Sequence, residues 1–396
     1  GGGDAQTTMP PVSGPTPAEL LATDLAGLSL PEFYEESYEA LTYRSPETIV
    51  WLALTSIYPL DDVTLDDISD GYKRDTYAMY RVVLDALRTY DTSTLSAADK
   101  LTYDFYEWYL QDVLDSADFM YYEFAAAFNF MGTHTGTETF FTEIHPLASA
   151  ADANDYIARL NDVPRKFDEL IDYLTRASGA GIIEPRHTID WSLYGIDQIA
   201  NAAPGNVSYY TMFRDKLSDI AGLSDAERQQ LLDAALAATR DSVIPAYRAL
   251  RSRLQSLRNN APVSIGVGQY PRGSEYYAYV LRHRTTTDLT AAEIHQLGLD
   301  HLQRIHAEML VIFDLLGYPQ NETLPQLFAR VAQDGGTIPA ADVKLTYEAI
   351  IDAAELELDA AFDIFPSADV VVEEDEFGGF YIGPTFDGSR PGAFYA

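Results

Sequence analysis

From residue 16 onward, apolar residues recur every three to four positions in one segment after another, the spacing that gathers them on one face of an α-helix. The first segment opens at Thr16-Pro17-Ala18-Glu19, where Thr16 suits the N-cap, Pro17 the first turn, and Glu19 closes a capping box. Helices are predicted next over residues 32–42, 47–57, 72–90 and 97–117. The last of these carries Leu101, Phe105, Trp108, Tyr109 and Val113 at helical spacing, a stripe that predicts a face buried in a core rather than a ligand platform. Periodicity returns over 151–178, stops at Gly179 and Gly181, and resumes after Glu184-Pro185-Arg186 as far as residue 201. Ser224-Asp225-Ala226-Glu227 is a capping box opening a helix toward residue 259, kinked at Pro245. A second box, Thr290-Ala291-Ala292-Glu293, opens a helix through residue 316, and two more helices are predicted near 324–333 and 340–362.

Two stretches break this rhythm. Residues 128–146 contain the polar run Met131-Gly132-Thr133-His134-Thr135-Gly136-Thr137-Glu138-Thr139, predicted as an irregular loop and a secondary candidate for a cleft wall. After Phe365 the character changes: Val370-Val371-Val372 and residues 377–382 have the β-branched and aromatic content of strands. No fixed repeat length emerges, which excludes a regular solenoid. The fold class is therefore mainly α, a large multi-helical body with a small β-sheet near the C-terminus. The expected partition is a flexible spacer over 1–15, a helical domain over 16–364 and a small β segment over 365–396.

The end of the chain has its own chemistry. Asp387-Gly388 and Pro391-Gly392 are turn formers that bracket Arg390. Gly392-Ala393-Phe394-Tyr395 reads as an edge strand, whose unpaired backbone groups bind an extended peptide by strand addition. Small residues at its start leave room for a ligand backbone. Arg390, Gly392, Ala393, Phe394 and Tyr395 are thus the candidate substrate-binding residues. An ordinary hairpin with Arg390 paired to a surface carboxylate accounts equally well for the local sequence.

Composition narrows the partners. Asp and Glu total 61 against 26 Lys plus Arg, a formal net charge of −35 that repels phosphate backbones and excludes nucleic acid as a natural partner. Such a surface fits salty surroundings or simply strong solvation. No apolar run approaches the ~18–20 residues that span a bilayer. There are 0 cysteines, which excludes disulfides, thiol catalysis and cysteine-ligated metal in this chain. Gly1-Gly2-Gly3-Asp4-Ala5-Gln6-Thr7-Thr8-Met9-Pro10-Pro11-Val12-Ser13-Gly14-Pro15 is a Gly/Thr/Pro spacer without an initiator methionine. It suggests either a tether downstream of a lipidated cysteine upstream of Gly1, and hence an extracytoplasmic lipoprotein of the bacterial envelope, or an engineered leader on a cytosolic protein.

No catalytic constellation is complete. The histidines are His134, His145, His187, His283, His295, His301 and His306, and none forms an HExxH pair, whose i, i+4 spacing aims two imidazoles at one zinc. His301 and His306 are five apart and turn to different faces. Acid pairs such as Asp61-Asp62, Asp66-Asp67 and Glu373-Glu374-Asp375 are what so acidic a composition produces on its own. No serine sits in a Gly-x-Ser-x-Gly elbow, and the glycine pairs lack the strand–loop–helix setting of a phosphate cradle. The chain itself therefore supplies neither metal ligands nor a cofactor site.

The segment Asp387-Gly388-Ser389-Arg390-Pro391-Gly392-Ala393-Phe394-Tyr395 resembles the stretch just ahead of the zinc motif in a large bacterial family known as a domain of unknown function (the eight-eight-five family), related to helical zinc metallopeptidases. The resemblance continues in Arg159-Leu160 with Val163-Pro164, in Gly181-Ile182-Ile183-Glu184-Pro185-Arg186, in Tyr276-Tyr277-Ala278-Tyr279 with Leu281-Arg282, and from Thr285 through Leu299. It implies a mostly helical fold with a deep cleft and a small sheet on its rim. In the family an HExxPGH helix follows the strand and supplies two zinc ligands and a water-activating glutamate. This sequence holds no counterpart of that helix. The expectation is therefore the N-terminal, substrate-cleft part of an envelope zinc peptidase-like protein, inactive by itself, with peptide as substrate and a C-terminal region as its intramolecular partner. The alternative is a non-catalytic extracytoplasmic peptide- or ligand-binding lipoprotein, and a weaker third reading is a helical scaffold marked by a large exposed apolar patch.

Overall fold

The computed structural model describes residues 14–126, 132–363, 365, 368–375, 378–385 and 388–396, so the spacer up to residue 13 and part of the 128–146 stretch lie outside the described residues. Among the described residues the helices are α1 (Pro17–Asp24), α2 (Leu30–Thr42), α3 (Pro46–Trp51), α4 (Asp70–Leu87), α5 (Ala97–Ser116), α6 (Thr133–Thr139), α7 (Ala150–Gly179) and α8 (Arg186–Ala200). They continue as α9 (Ser208–Leu217), α10 (Asp225–Ala238), α11 (Ile244–Arg258), α12 (Gly273–Thr285), α13 (Ala291–Leu315), α14 (Leu324–Gly335) and α15 (Ala340–Glu355). Three short strands follow: β1 (Val370–Glu373), β2 (Phe380–Ile382) and β3 (Gly392–Tyr395). The mainly helical class with a small C-terminal sheet is as expected.

The capping boxes read from the sequence form as drawn. The Thr16, Ser224 and Thr290 side chains each accept from the N3 backbone N–H, while Glu19, Glu227 and Glu293 reach back to the cap backbone. The helix predicted over 47–57 stops at Trp51, where Ala53 turns the chain with φ 55°. The helix predicted over 224–259 is interrupted by a π-helical turn at Thr239–Val243. Pro245 lacks the N–H that would bond Asp241, and the wider turn ahead of it absorbs the missing link. Helix α9 and the helix α12 were not anticipated.

Chain compactness separates residues 1–51 with 55–279 from residues 52–54 with 280–396. This division differs from the one at residue 364: the sheet is grouped with α13, α14 and α15. In the first unit, α11 lies against both α7 and α8 over a core that includes Phe167, Leu170, Ile196, Leu250 and Leu254. Three fully buried tyrosines tie this core together. Tyr156 donates to the Tyr209 carbonyl at 2.7 Å, the Tyr209 and Tyr247 hydroxyls meet at 2.8 Å, and Tyr247 donates to the His134 carbonyl at 3.0 Å. Each buried hydroxyl thereby has a partner, the condition for placing tyrosine in a core.

A second core joins α1, α2, α4 and α5 through Leu21, Phe33, Val83, Leu84, Leu87 and Leu110. Here the aromatic stripe on α5 is a correction. Leu101 is 71% exposed, Phe105 63% and Trp108 40%, while Tyr103, Leu110 and Leu114 carry the buried face. The face that meets α2 and α4 is the one the stripe leaves out.

In the second unit, Phe313 is the buried residue of α13 and Leu327 that of α14. Leu297, Leu302, Ile305, Ile312 and Leu315 on α13 are all exposed, as are Leu299 and Leu310 on another side.

Candidate functional site

The most chemically charged region of the first unit is assembled by α7. Arg159, Asp162, Lys166 and Glu169 recur at three- and four-residue spacing and therefore line one face of this helix. An irregular stretch from Thr64 to Ile68 lies along that face, and side chains satisfy several of its peptide groups. Arg159 Nε donates to the Thr64 carbonyl at 3.2 Å, Asp162 accepts from Leu65 N at 2.9 Å, and Glu169 accepts from Ile68 N at 2.9 Å. Arg165 donates to the Leu65 and Asp66 carbonyls at 2.8 and 3.3 Å. An irregular segment at this depth is stable only with such replacements for a sheet or helix ladder.

This lattice fixes Asp66 against α3. Asp66 N donates to Glu47 Oε1 and Glu47 N donates to Asp66 Oδ1, each at 2.9 Å. Ser45 Oγ donates to Asp66 Oδ2 at 2.8 Å, and Lys166 Nζ reaches Glu47 Oε1 at 2.5 Å. Lys166 is only 5% exposed. Burial pushes the Asp66 carboxyl up to about 6, with the neighbouring Glu47 charge adding to the rise and Lys166 opposing it.

The trio borders a cavity of about 420 Å³. Its other walls are Trp51, Ile68 and Phe140 and one side of α6, which presents Gly132, Thr133, Gly136, Thr137 and Thr139. The polar run from 131 to 139 is thus a wall as expected, though from Thr133 it is a helix rather than a loop, and Met131 lies outside the described residues. Glu47, Asp66 and Lys166 were not singled out from sequence. The available signal was Lys166, one of very few lysines, set in a polar stripe of a helix with an otherwise apolar pattern.

A second buried carboxylate, Glu184, belongs to the Gly181–Arg186 motif. Its Oε1 accepts from Ala126 N at 3.0 Å, and Ser192 Oγ donates to the Ala126 carbonyl at 2.6 Å. Glu184 Oε2 has no hydrogen-bond partner among the described residues, and burial pushes the carboxyl up to about 7. The ring of the buried His145 has a structural setting. His145 Nδ1 donates to the Pro146 carbonyl at 2.8 Å, which leaves Nε2 to accept from Arg159 at 2.7 Å. Burial holds both His134 and His145 down near a pKa of about 4, in the neutral form. Among the described residues no three His, Asp or Glu side chains are grouped to hold a metal ion.

The terminal segment is built differently from its sequence expectation. The sheet order is β1-β3-β2, with β3 parallel to β1 and antiparallel to β2. Gly392, Ala393, Phe394 and Tyr395 therefore form the central strand, and their backbone groups are taken up by both neighbours. The edge-strand assignment is corrected: β3 cannot accept an added strand, and the outer strands are β1 and β2. Gly392 is small for an internal reason. A Cβ there would fall on the Tyr381 hydroxyl and lie 3.0 Å from the ring carbons. Phe394 packs on Tyr347 at 4.9 Å and Tyr395 stacks on Phe380 at 4.6 Å, while Ala393 is buried. Arg390 is half-buried, its backbone exchanging hydrogen bonds with Thr385 at 3.0 Å in both directions. Asp387 lies outside the described residues.

Comparison with known proteins fits this architecture. A crystal structure described as "the putative lipoprotein from Colwellia psychrerythraea" superposes with a TM-score of 0.82 at 18% identity, covering 96% of this chain and 67% of that one. At that identity the likeness establishes the fold. No curated protein matches the chain. No described helix is long and apolar enough to cross a membrane. Residues 46–396 match the family model described as "Bacterial protein of unknown function (DUF885)", which takes in α3 through β3, and the chain belongs to this family.

Proposed function

We propose that this chain is the N-terminal, substrate-side part of a zinc-dependent, peptidase-like lipoprotein of the bacterial envelope, and that by itself it is inactive. The observation that carries this reading is α13. A helix apolar on several sides is a helix meant to be covered on several sides, yet Leu315 is 81% exposed, Val311 60% and Ile312 55%. A further polypeptide of the same protein is the natural cover, and the lipoprotein of similar fold has about a third of its length outside the matched part. In the zinc-peptidase reading that polypeptide brings the HExxPGH helix, with its two zinc ligands and general base. Peptide contact then falls to the outer strand β2, whose Phe380 and Tyr381 are exposed, with Phe394 and Tyr395 supporting it from β3. The tether and envelope location rest on the N-terminal spacer and on the description of that similar structure.

The test is peptide hydrolysis by this 396-residue chain and by the longer product of the same gene. The reading requires chelator-sensitive cleavage by the longer product alone. Cleavage by this chain, or none by the longer product, refutes it. A non-catalytic ligand-binding lipoprotein is the second reading, and the walled cavity beside Lys166 favours it.

A further inference from the structure

The cavity between α3, α6 and α7 is assigned to no part of that chemistry. Its volume, about 420 Å³, lies within the ~300–1,000 Å³ of small-molecule sites. Its charge is unbalanced. Lys166 faces two carboxylates, Glu47 and Asp66. Extending the count along α7 adds Arg159 and Arg165 against Asp155, Asp162 and Glu169, so the surroundings stay net negative. The aromatic and aliphatic walls, Trp51, Phe140 and Ile68, sit opposite the charged trio. We propose that this cavity binds a small molecule carrying one primary ammonium group on an apolar body.

The ammonium supplies the positive charge that the trio lacks, and the apolar body lies against Trp51 and Phe140. A cation beside Asp66 favours its charged form, so binding displaces a proton wherever Asp66 would otherwise be protonated. The groups facing Asp66 are Glu47 on α3, Lys166 and Arg165 on α7, and the Tyr72 phenol on α4. Among these, Asp66 is the one whose burial moves its titration to about pH 6.

The test uses this chain and isothermal titration calorimetry with 2-phenylethylamine, 2-phenylethanol and 3-phenylpropionate. The amine should bind at least about tenfold tighter than either isostere. Its affinity should fall about tenfold from pH 7.5 to pH 5, as expected for a carboxylate with a pKa near 6. Asp66→Asn should weaken binding at pH 7.5 and flatten the pH profile. Gly136→Leu is the second variant, because a Cβ at Gly136 meets nothing within 4 Å and the larger side chain has room to enter the cavity. It should abolish binding without lowering the melting temperature. Equal or tighter binding of the alcohol or carboxylate overturns the proposal, as do a flat wild-type pH profile and an absence of amine binding at millimolar concentration. If Asp66→Asn does not fold, the wild-type pH profile and Gly136→Leu decide. The readout requires neither zinc nor peptide cleavage, so this proposal and the peptidase reading fail separately.

Discussion

Glu47 and Asp66 hold each other by their backbones: each carboxylate accepts the other residue's N–H at 2.9 Å. The exchange locks the 64–68 stretch to the start of α3 and leaves Lys166 paired to the same Glu47 carboxylate. Glu47→Ala removes the acceptor of Asp66 N and the hydrogen-bonded partner of the buried Lys166, leaving that ammonium to Asp66 alone, a loss of about 3 kcal/mol. Asp66→Asn keeps an acceptor for Glu47 N and should cost less, about 1 kcal/mol. Urea denaturation of the two variants checks the order, and equal losses would contradict this account of the pair.

Glu184 makes stability depend on pH in a stated direction. Its folded-state pKa of about 7 lies above the ordinary 4.5, so the native state prefers the protonated carboxyl. That contribution is fully present below pH 4.5 and is lost as pH rises through 7. Glu184→Gln keeps the acceptor for Ala126 N without the charge. The variant should match wild type near pH 4 and exceed it above pH 7 by about 3 kcal/mol at most, at about 1.4 kcal/mol per pKa unit. Denaturation curves at several pH values measure the difference. A variant less stable than wild type at pH 8 would contradict the assignment.

Gly392 and Tyr381 should behave as a coupled pair. Gly392→Ala puts a methyl where the Tyr381 hydroxyl lies, so the exposed Tyr381 side chain must shift aside, at a cost of about 0.5–1.5 kcal/mol. Tyr381→Ala opens that space, so the double variant should recover most of the added loss. Thermal unfolding of the four proteins gives the coupling. Additive losses would mean that Gly392 is small for some reason other than Tyr381.

The exposed face of α13 predicts surface behaviour. This chain should bind a hydrophobic dye strongly, and replacing Ile312 and Leu315 by Lys should reduce that binding without lowering stability. In the longer gene product those same two substitutions should destabilise by several kcal/mol, since each then falls in a packed interface. Dye fluorescence and unfolding curves for both products test this. Tolerance of the substitutions in the longer product would mean that nothing packs on α13.

Much of this was legible in the sequence where local chemistry decides. Thr16, Ser224 and Thr290 announced helix starts because a cap and its N3 partner sit three residues apart. Val370 to Val372 announced a strand by β-branching alone. The α5 stripe misled because large aromatics mark apolar surface without saying which side of the helix meets a neighbour. The strand at Gly392 was found, but its central position depends on pairing with Val370 and Ile382, distant choices that no local pattern encodes. The Lys166 cavity was illegible for the same reason. Its parts come from α3, the 64–68 stretch, α6 and α7, and Asp66 looked like one more acid in an acidic chain.

On the proposed reading, a zinc site forms only when further polypeptide joins this chain. Metal content of the longer gene product, purified without added metal and measured by elemental analysis beside this 396-residue chain, tests it most directly. The account predicts one zinc per molecule of the longer product and none retained by this chain; a longer product free of zinc, or stoichiometric zinc on this chain alone, would contradict it.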